Sequence, residues 1–598
     1  MSLQISGIDL VIVLLYLVGV VALGCFAGAH RKKSAGEGSN YFLAGNTLRW
    51  PIIGLAMFAA NISTVHLVSF AETAYKHGMV YGNFEWMAGF TLILLSLFFA
   101  PLYLRSRVAT LPDFLERRYN RHCRDWLTVI SLFSAIVIHI GVALWTAAIV
   151  LCGILGIDSH ATFMGIDPMM FFVIVLGVLT GIYTMIGGLL AVVWTESIQT
   201  VLLLIGAVCI TVVGYHYVGG WEALKLTLAS HPHPLAAGFW KMTVTDPSVV
   251  CNWSTSNFLS ILREPSDPSR QPWLGILLGY PVIGIWYWCC DQTIVQRVLA
   301  ARDDKNARLG PLFCGFLKIL PVFLFVLPGV FCVALVQQNH AVFGGQSPTE
   351  AKYAYTFMVT HMLPIGLKGL VTAAMLAAAM QTCSAALNSA ATLFAYDIVA
   401  RYRPRTSDHQ LVLVGKITTI VGTVLAIAAS PMFGHKDTVF QALTDIICYL
   451  APPVTAVFLF GVFWKRTSGR AAFLALVVGT LLGAVAFYLE FYKDDAHSIW
   501  HAMNLWHQQH LGGYELTSMM ASFYLCIFCG VILLVGSYIM PEPLKEEARP
   551  LVWDNWLEPL KRTSVGRGLG DYRVMSLVVF LTFIALYFLF GHVSVPPR

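Results

Sequence analysis

The sequence predicts an all-α polytopic membrane protein with about 14 transmembrane helices. Of its 598 residues, 57% are hydrophobic and only 12% charged, roughly half the charged share of a soluble domain. Mean hydropathy is +0.70, and apolar runs of about 20 residues, enough to cross about 30 Å of hydrocarbon, recur along the chain. The net charge of +6 is no nucleic-acid signature, because the basic residues sit in short loops beside apolar runs. The 13 cysteines fall mostly inside those runs without metal-ligand spacing and read as small packing residues.

The runs lie near 8–28, 48–72, 80–104, 125–152, 168–187, 191–217, 272–297, 309–336, 366–400, 411–431, 438–462, 471–491, 516–539 and 572–592. The first lacks a basic leader and a small-residue cleavage site, so it reads as a retained helix. The run at 366–400 is too long for one straight span, and its N-terminal part reads as a shorter helix outside. Arg31-Lys32-Lys33, Arg105 to Arg124, Arg297 to Arg308, Arg401-Arg403-Arg405, Lys465 to Arg470 and Lys545 to Arg573 fall in alternate loops. The positive-inside rule puts that set in the cytoplasm and both termini outside.

Two outer loops, 218–271 and 492–515, are long enough to carry their own structure. The first holds Asn252-Trp-Ser, a glycosylation sequon in a eukaryotic host alone. His231-Pro-His233 and His507-Gln-Gln-His510 lack an acidic or cysteine partner and read as solvated loop histidines rather than a metal site. The 541–571 loop, mixed in charge and amphipathic, reads as a helix lying on the inner surface.

Polar side chains within the spans point to function, since burying them in lipid is costly. Asn61, Ser63, Thr64 and His66 crowd into Phe58–His66, and Glu85 follows in the next run. Further patches are Thr195-Glu196-Ser197, Tyr287-Trp288 followed by Asp291-Gln292, Lys318, Gln381-Thr382-Cys383-Ser384 and Thr444-Asp445. Lys318 and Glu85 read as pathway residues or as a structural ion pair. Tyr287 and Trp288 read as solute-facing rings or ordinary core, and Gln381, Thr382 and Ser384 as ion ligands or interhelical glue. Asp291-Gln292, close to Arg297, reads as a loop salt bridge. Amide, imidazole, carboxylate, phenol, indole and ammonium together suit a neutral polyhydroxyl solute. An amino acid would instead want a bare helix N-terminus for its carboxylate. No nucleophile–base pair or His-Glu-x-x-His spacing lies in a span, so the chain does not read as an enzyme.

These stretches resemble the sodium/glucose cotransporter family within the solute:sodium symporters. The matching stretches are Tyr41-Phe-Leu-Ala-Gly45, F-A-A-N-I-S-T-V-H at 58–66, G-N-F-E-W at 82–86 and I-Y-T-M-I-G-G-L-L-A-V-V-W-T-E at 182–196. W-Y-W-C-C-D-Q-T-I-V-Q-R at 286–297, G-F-L-K-I-L-P at 315–321, N-S-A-A-T-L-F-A-Y-D-I at 388–398, Y-L-A-P-P at 449–453 and F-W-K-R at 463–466 complete them. The resemblance covers about residues 8–490. It implies a LeuT-type fold with inverted five-helix repeats at 48–217 and 272–462. The first span and its loop (1–47) precede them, the 218–271 loop joins them, and three spans (463–598) follow.

The resemblance further implies sodium-coupled sugar transport across the plasma membrane by alternating access, with Na+ as the co-transported ion and no obligate protein partner. Sugar contacts would be Asn61, His66, Glu85, Tyr287, Trp288 and Lys318, with Tyr287 the inner gate. Sodium would be held by the carbonyls of Ala59, Ile62 and Ala378 and the hydroxyl of Thr382. Two positions depart from the family. Thr444 stands where relatives carry a sugar-contacting glutamine, and Gln381 where they carry a sodium-binding serine, although its amide oxygen can still reach the ion. Glu196, an aspartate in relatives, and Ser384 are candidates for a second cation site. A symporter for myo-inositol, sialic acid or a nucleoside, or a sugar-gated sensor without net uptake, are the alternative readings.

Overall fold

The structure, a computed structural model, describes residues 5–29, 42, 44–157, 165–230, 258–265, 267, 269–435, 439–492, 498–561 and 568–593. Asn252, His231 and His233 lie outside them. The described residues are nearly all helical, with one parallel bridge between Leu48 and Ala301.

Among the described residues, thirteen helices are long and apolar enough to cross a membrane. The helix Thr64–Ser106 turns at Gly78 (φ 72°), and its first part continues the shorter Trp50–Asn61 helix across a break. Counting that broken pair as one gives the fourteen crossings expected. Leu15, Val424, Val531 and Phe588 stay exposed on the outer faces; aliphatic belts of this kind suit lipid rather than water as the surrounding solvent.

One element series occurs twice. Trp50–His77 is broken, and a bent span follows, ending at Ser106, with a short Leu111–Arg118 helix. Spans Arg121–Leu155, Pro168–Leu189 and Val192–Val218 complete the series. Trp273–Leu299 is likewise broken, Asp304–Gln337 follows with a short Ala354–Met362 helix, and Leu367–Ala400, Asp408–Phe433 and Leu443–Phe463 close the second series. Five is odd, so the second series enters with opposite polarity.

The run at 366–400 does not divide: Leu367–Leu393 continues through a widened turn to Ala400 as one helix. Its alanines and small polar residues let neighbours approach closely along its whole length, which favours helix over a break. The described residues of the 541–571 loop form not an amphipathic helix but a strap of short turns, Glu546–Leu551 and Glu558–Lys561. Its prolines and buried Trp553, whose backbone and indole N–H groups donate to Val462 O and Phe98 O (3.0 Å each), hold it against the helix ends.

The basic loops gather on one face. Arg118 donates to the carbonyls of Gly461 and Trp464, Arg124 reaches Asp397 at 2.8 Å, and Arg401 reaches Asp125 at 2.6 Å. On the opposite face Arg263 closes over the His77 carbonyl (3.0 Å), and Arg270 faces Glu515. His507 lies there too, and it is not solvated. It is buried with Nδ1 at 2.7 Å from Tyr514 O and Nε2 at 2.9 Å from the Tyr524 hydroxyl, so it closes its own loop, while His510 stacks on Trp506. The first span is bolted to the second series: Asp9 Oδ1 accepts from both Gly366 and Gly369 N–H at 2.8 Å, at the start of Leu367–Ala400.

Candidate solute and ion site

The site forms where the two broken helices face each other. The first helix ends because Ile62 and Ser63 are extended (ψ 110° and 176°). Ser63 then caps Thr64–His77: its hydroxyl accepts from Val65 N–H, and its own N–H donates to His66 Nδ1 at 3.1 Å. This reciprocal cap frees two carbonyls. Ser63 N–H would reach Ala59 O in an unbroken helix but bonds His66, and His66 N–H bonds Ser63 O instead of Ile62 O. The same cap fixes the neutral imidazole with its proton on Nε2, 3.6 Å from Glu85 Oε1.

The second broken helix parts at Asp291, also extended (ψ 128°). Its expected salt bridge with Arg297 does not form. Asp291 instead accepts from Thr293 N–H (2.8 Å) as a helix cap and lies 3.5 Å from His139, and Gln292 accepts from Leu111 N–H. Arg297 turns the other way to Glu196.

Between these breaks lies a cavity of about 110 Å³. Asn61, His66, Glu85, Tyr287, Trp288, Lys318, Thr382 and Thr444 all line it. Lys318 joins its elements: Nζ donates to Asn61 Oδ1 at the first break and to Glu85 Oε2 at 2.6 Å, and stands 5.2 Å from the Trp288 ring centre. The ammonium and carboxylate are nearly sealed from solvent and cancel each other's charge. Ion pair and cavity wall are therefore one feature.

Sequence reasoning missed the roof. Phe440 meets Phe70 and Phe84 with ring centres 5.0 and 4.9 Å away, and the Tyr280 hydroxyl donates to Phe84 O at 2.8 Å. Single aromatics scattered over four helices carry no local signal. His139, placed in the cavity wall by a span that otherwise reads as apolar, was missed too.

Ala59, Ile62, Ala378 and Thr382 are buried where Leu367–Ala400 packs against both halves of the first broken helix. Thr382 Oγ1 is 3.4 Å from Ala378 O. Gln381 turns its amide NH2 toward Glu196 O at 3.5 Å, leaving Oε1 buried without a hydrogen bond. Glu196 Oε1 pairs with Arg297 at 2.7 Å, both side chains wholly buried, while Ser384 donates to Gln381 O. A guanidinium thus already neutralises Glu196. Among the described residues no cluster of three or more His, Cys, Asp or Glu has a metal-binding arrangement, and carbonyls with a hydroxyl are the donor set a hard monovalent cation prefers.

The sodium:solute symporter family model matches residues 41–479. The chain belongs to that family. Among its relatives, sodium/glucose cotransporter 1 of Ovis aries is 32% identical over 497 residues, covering 81% of this chain and 72% of the relative. The sodium/myo-inositol cotransporter of Mus musculus is 31% identical over 558 residues, covering 91% and 75%. A Na+-coupled sialic acid symporter, solved substrate-bound and outward-open, shares the fold: TM-score 0.69 at 21% identity, with 90% of this chain and 99% of that one covered. This symporter chain is therefore a multi-pass sodium-coupled membrane transporter with a LeuT-type inverted repeat, not an enzyme.

Proposed function

We propose that this symporter couples Na+ entry to uptake of a neutral sugar or polyol by alternating access. The observation that carries the reading is the Lys318–Glu85–Asn61 triad on the cavity wall, which offers strong donors and acceptors with no net charge. Such a wall suits hydroxyls and disfavours an anionic solute, whose carboxylate would have to compete with Glu85 for the one ammonium. Relatives named for glucose and myo-inositol transport support the same class.

In this reading Asn61, His66, Glu85, Lys318 and Thr444 contact the solute, its ring lies against Tyr287 or Trp288, and Tyr287 closes beneath it. Phe70, Phe84 and Phe440 close above. The carbonyls of Ala59, Ile62 and Ala378, with Thr382 and Gln381, hold the ion. The repeats are 48–217 and 272–462, the basic loops face the cytoplasm, both termini lie outside, and the membrane is the plasma membrane.

Na+ binding ties the broken helix to Leu367–Ala400, and the Asn61 side chain one residue from Ile62 is thereby set for solute, so each ligand raises the other's affinity. One charge crossing about 100 mV is worth about 2.3 kcal/mol, and a tenfold Na+ gradient adds about 1.4 kcal/mol. Together these support roughly 500-fold accumulation per ion in the tightly coupled limit. The test is uptake of glucose, galactose and myo-inositol into proteoliposomes in sodium and in choline. Solute affinity that is the same in both buffers sinks the coupling.

A further inference from the structure

A second cavity shares no residue with the solute site. Where the strap leaves helix Ser518–Ile539 and meets the end of Val439–Phe463, a cleft of about 820 Å³ opens. Trp464 follows the last residue of one helix and Tyr538 sits in the last turn of the other, their ring centres 5.9 Å apart. Three basic side chains, Lys465, Arg466 and Arg549, line the cleft against two acidic ones, Glu542 and Asp554. Both acids are engaged. Asp554 pairs with Lys465, while Glu542 accepts from Gly469 N–H at 2.7 Å and pairs with Arg470 at 3.2 Å. Arg466 and Arg549 are exposed and make no ion pair among the described residues. Their planar forks match the oxygens of a phosphate.

A soluble phosphate and a lipid headgroup offer the same chemistry, and position decides between them. The cleft lies at the ends of two membrane-crossing helices, the depth at which headgroups and Trp or Tyr rings gather. Leading to it, Val531, Leu534, Val535 and Tyr538 follow helical spacing along one face of Ser518–Ile539 and are 45–61% exposed. Acyl chains laid on that face bring their phosphate to the two arginines, and basic pockets at helix ends favour anionic headgroups. We propose that the cleft is a specific site for an anionic glycerophospholipid, its phosphate on Arg466 and Arg549 and its chains along 531–538. The lipid would brace Val439–Phe463, which carries Thr444 into the solute cavity, against the span beside it. This holds whichever solute is carried.

The experiment offers the full chain in detergent equal amounts of phosphatidylglycerol and phosphatidylcholine. Native mass spectrometry counts bound lipid, and the thermal midpoint is read alongside. Phosphatidylglycerol should be retained about tenfold or more over phosphatidylcholine and should raise the midpoint. Arg466→Gln/Arg549→Gln should erase both effects. Arg403→Gln/Arg405→Gln, an equal loss of charge among exposed residues of the same basic face, should leave the retention ratio within about twofold. No preference in the wild type, or an equal loss in the two double variants, leaves only diffuse attraction and overturns the site. Glycerol 1-phosphate at millimolar concentration should neither displace the lipid nor raise the midpoint; if it does either, the ligand is a soluble phosphate and the lipid assignment falls. Should the Arg466/Arg549 variant fail to fold, the wild type decides: substoichiometric phosphatidylglycerol with a diazirine on an acyl chain should crosslink within 531–538, and labelling confined to other helices overturns the site.

Discussion

Lys318 Nζ holds Glu85 at 2.6 Å and Asn61 at the helix break at once, so one ammonium links three helices at the cavity wall. Removing one partner of a buried pair leaves an uncompensated charge, at a cost of about 3–5 kcal/mol. Lys318→Ala should therefore lower the thermal midpoint in detergent and abolish uptake. The Lys318→Ala/Glu85→Ala double variant should recover part of the stability and none of the transport. Full additivity of the two stability losses would mean that the pair is not coupled.

Thr382 offers a hydroxyl 3.4 Å from the Ala378 carbonyl, on the helix that packs against both halves of the first broken helix. Thr382→Ala should raise the half-saturating Na+ concentration by about tenfold, equivalent to about 1.4 kcal/mol. Maximal uptake at saturating Na+ should change much less. An unaltered Na+ curve removes Thr382 from the ion site.

Gln381 leaves its amide oxygen buried without a hydrogen bond while its NH2 leans on Glu196 O. Gln381→Ser, the residue type that the resemblance to the sodium/glucose cotransporters implies here, should lower the half-saturating Na+ concentration. A weaker Na+ dependence after the change would show that the glutamine is the better ligand.

Glu196 and Arg297 neutralise each other with no exposed surface. Glu196→Gln strands the guanidinium, so the loss should appear as reduced folded yield, with the Na+ Hill coefficient of the surviving protein unchanged. A Hill coefficient that drops at normal yield would instead mark Glu196 as part of a second cation site.

Gly54 sits where a Cβ would come within 2.8 Å of Gly310 O and 2.6 Å of the Phe313 ring. Gly329 is tighter still, its would-be Cβ 2.3 Å from Ala71 O. Gly329→Ala must push helix Leu327–Gln337 off the Thr64–His77 half of the broken helix, at about 1–3 kcal/mol for overpacking. Thermal unfolding should register it, and loss of stability should exceed that from an alanine at exposed Gly19, which has open space around it.

The positions of the fourteen crossings were legible because hydrocarbon thickness imposes a run length on each, and Trp50–Asn61 was recognisable by the polar residues that follow it. The split expected within 366–400 failed because length was the only cue, whereas Ala-rich packing governs that helix. Motif positions from Asn61 to Lys318 converge on one cavity, as their chemistry suggested. Phe440 and His139 stayed hidden, since an aromatic or a single imidazole in an apolar span acquires meaning only from the helices brought beside it. Asp291 misled for a related reason: its nearness in sequence to Arg297 outweighed the competing claim of Glu196, a hundred residues away.

The Asp9 cap on Gly366 and Gly369 has a practical side. Together with the 2.8 Å hydrogen bond from Gln199 to the Tyr16 hydroxyl, it fastens the first span to two helices, and a Cβ on Gly369 would strike the Asp9 backbone at 2.7 Å. A probe attached to that span therefore rides with Leu367–Ala400, giving spectroscopists a fixed mark against which displacements of Trp50–His77 can be measured.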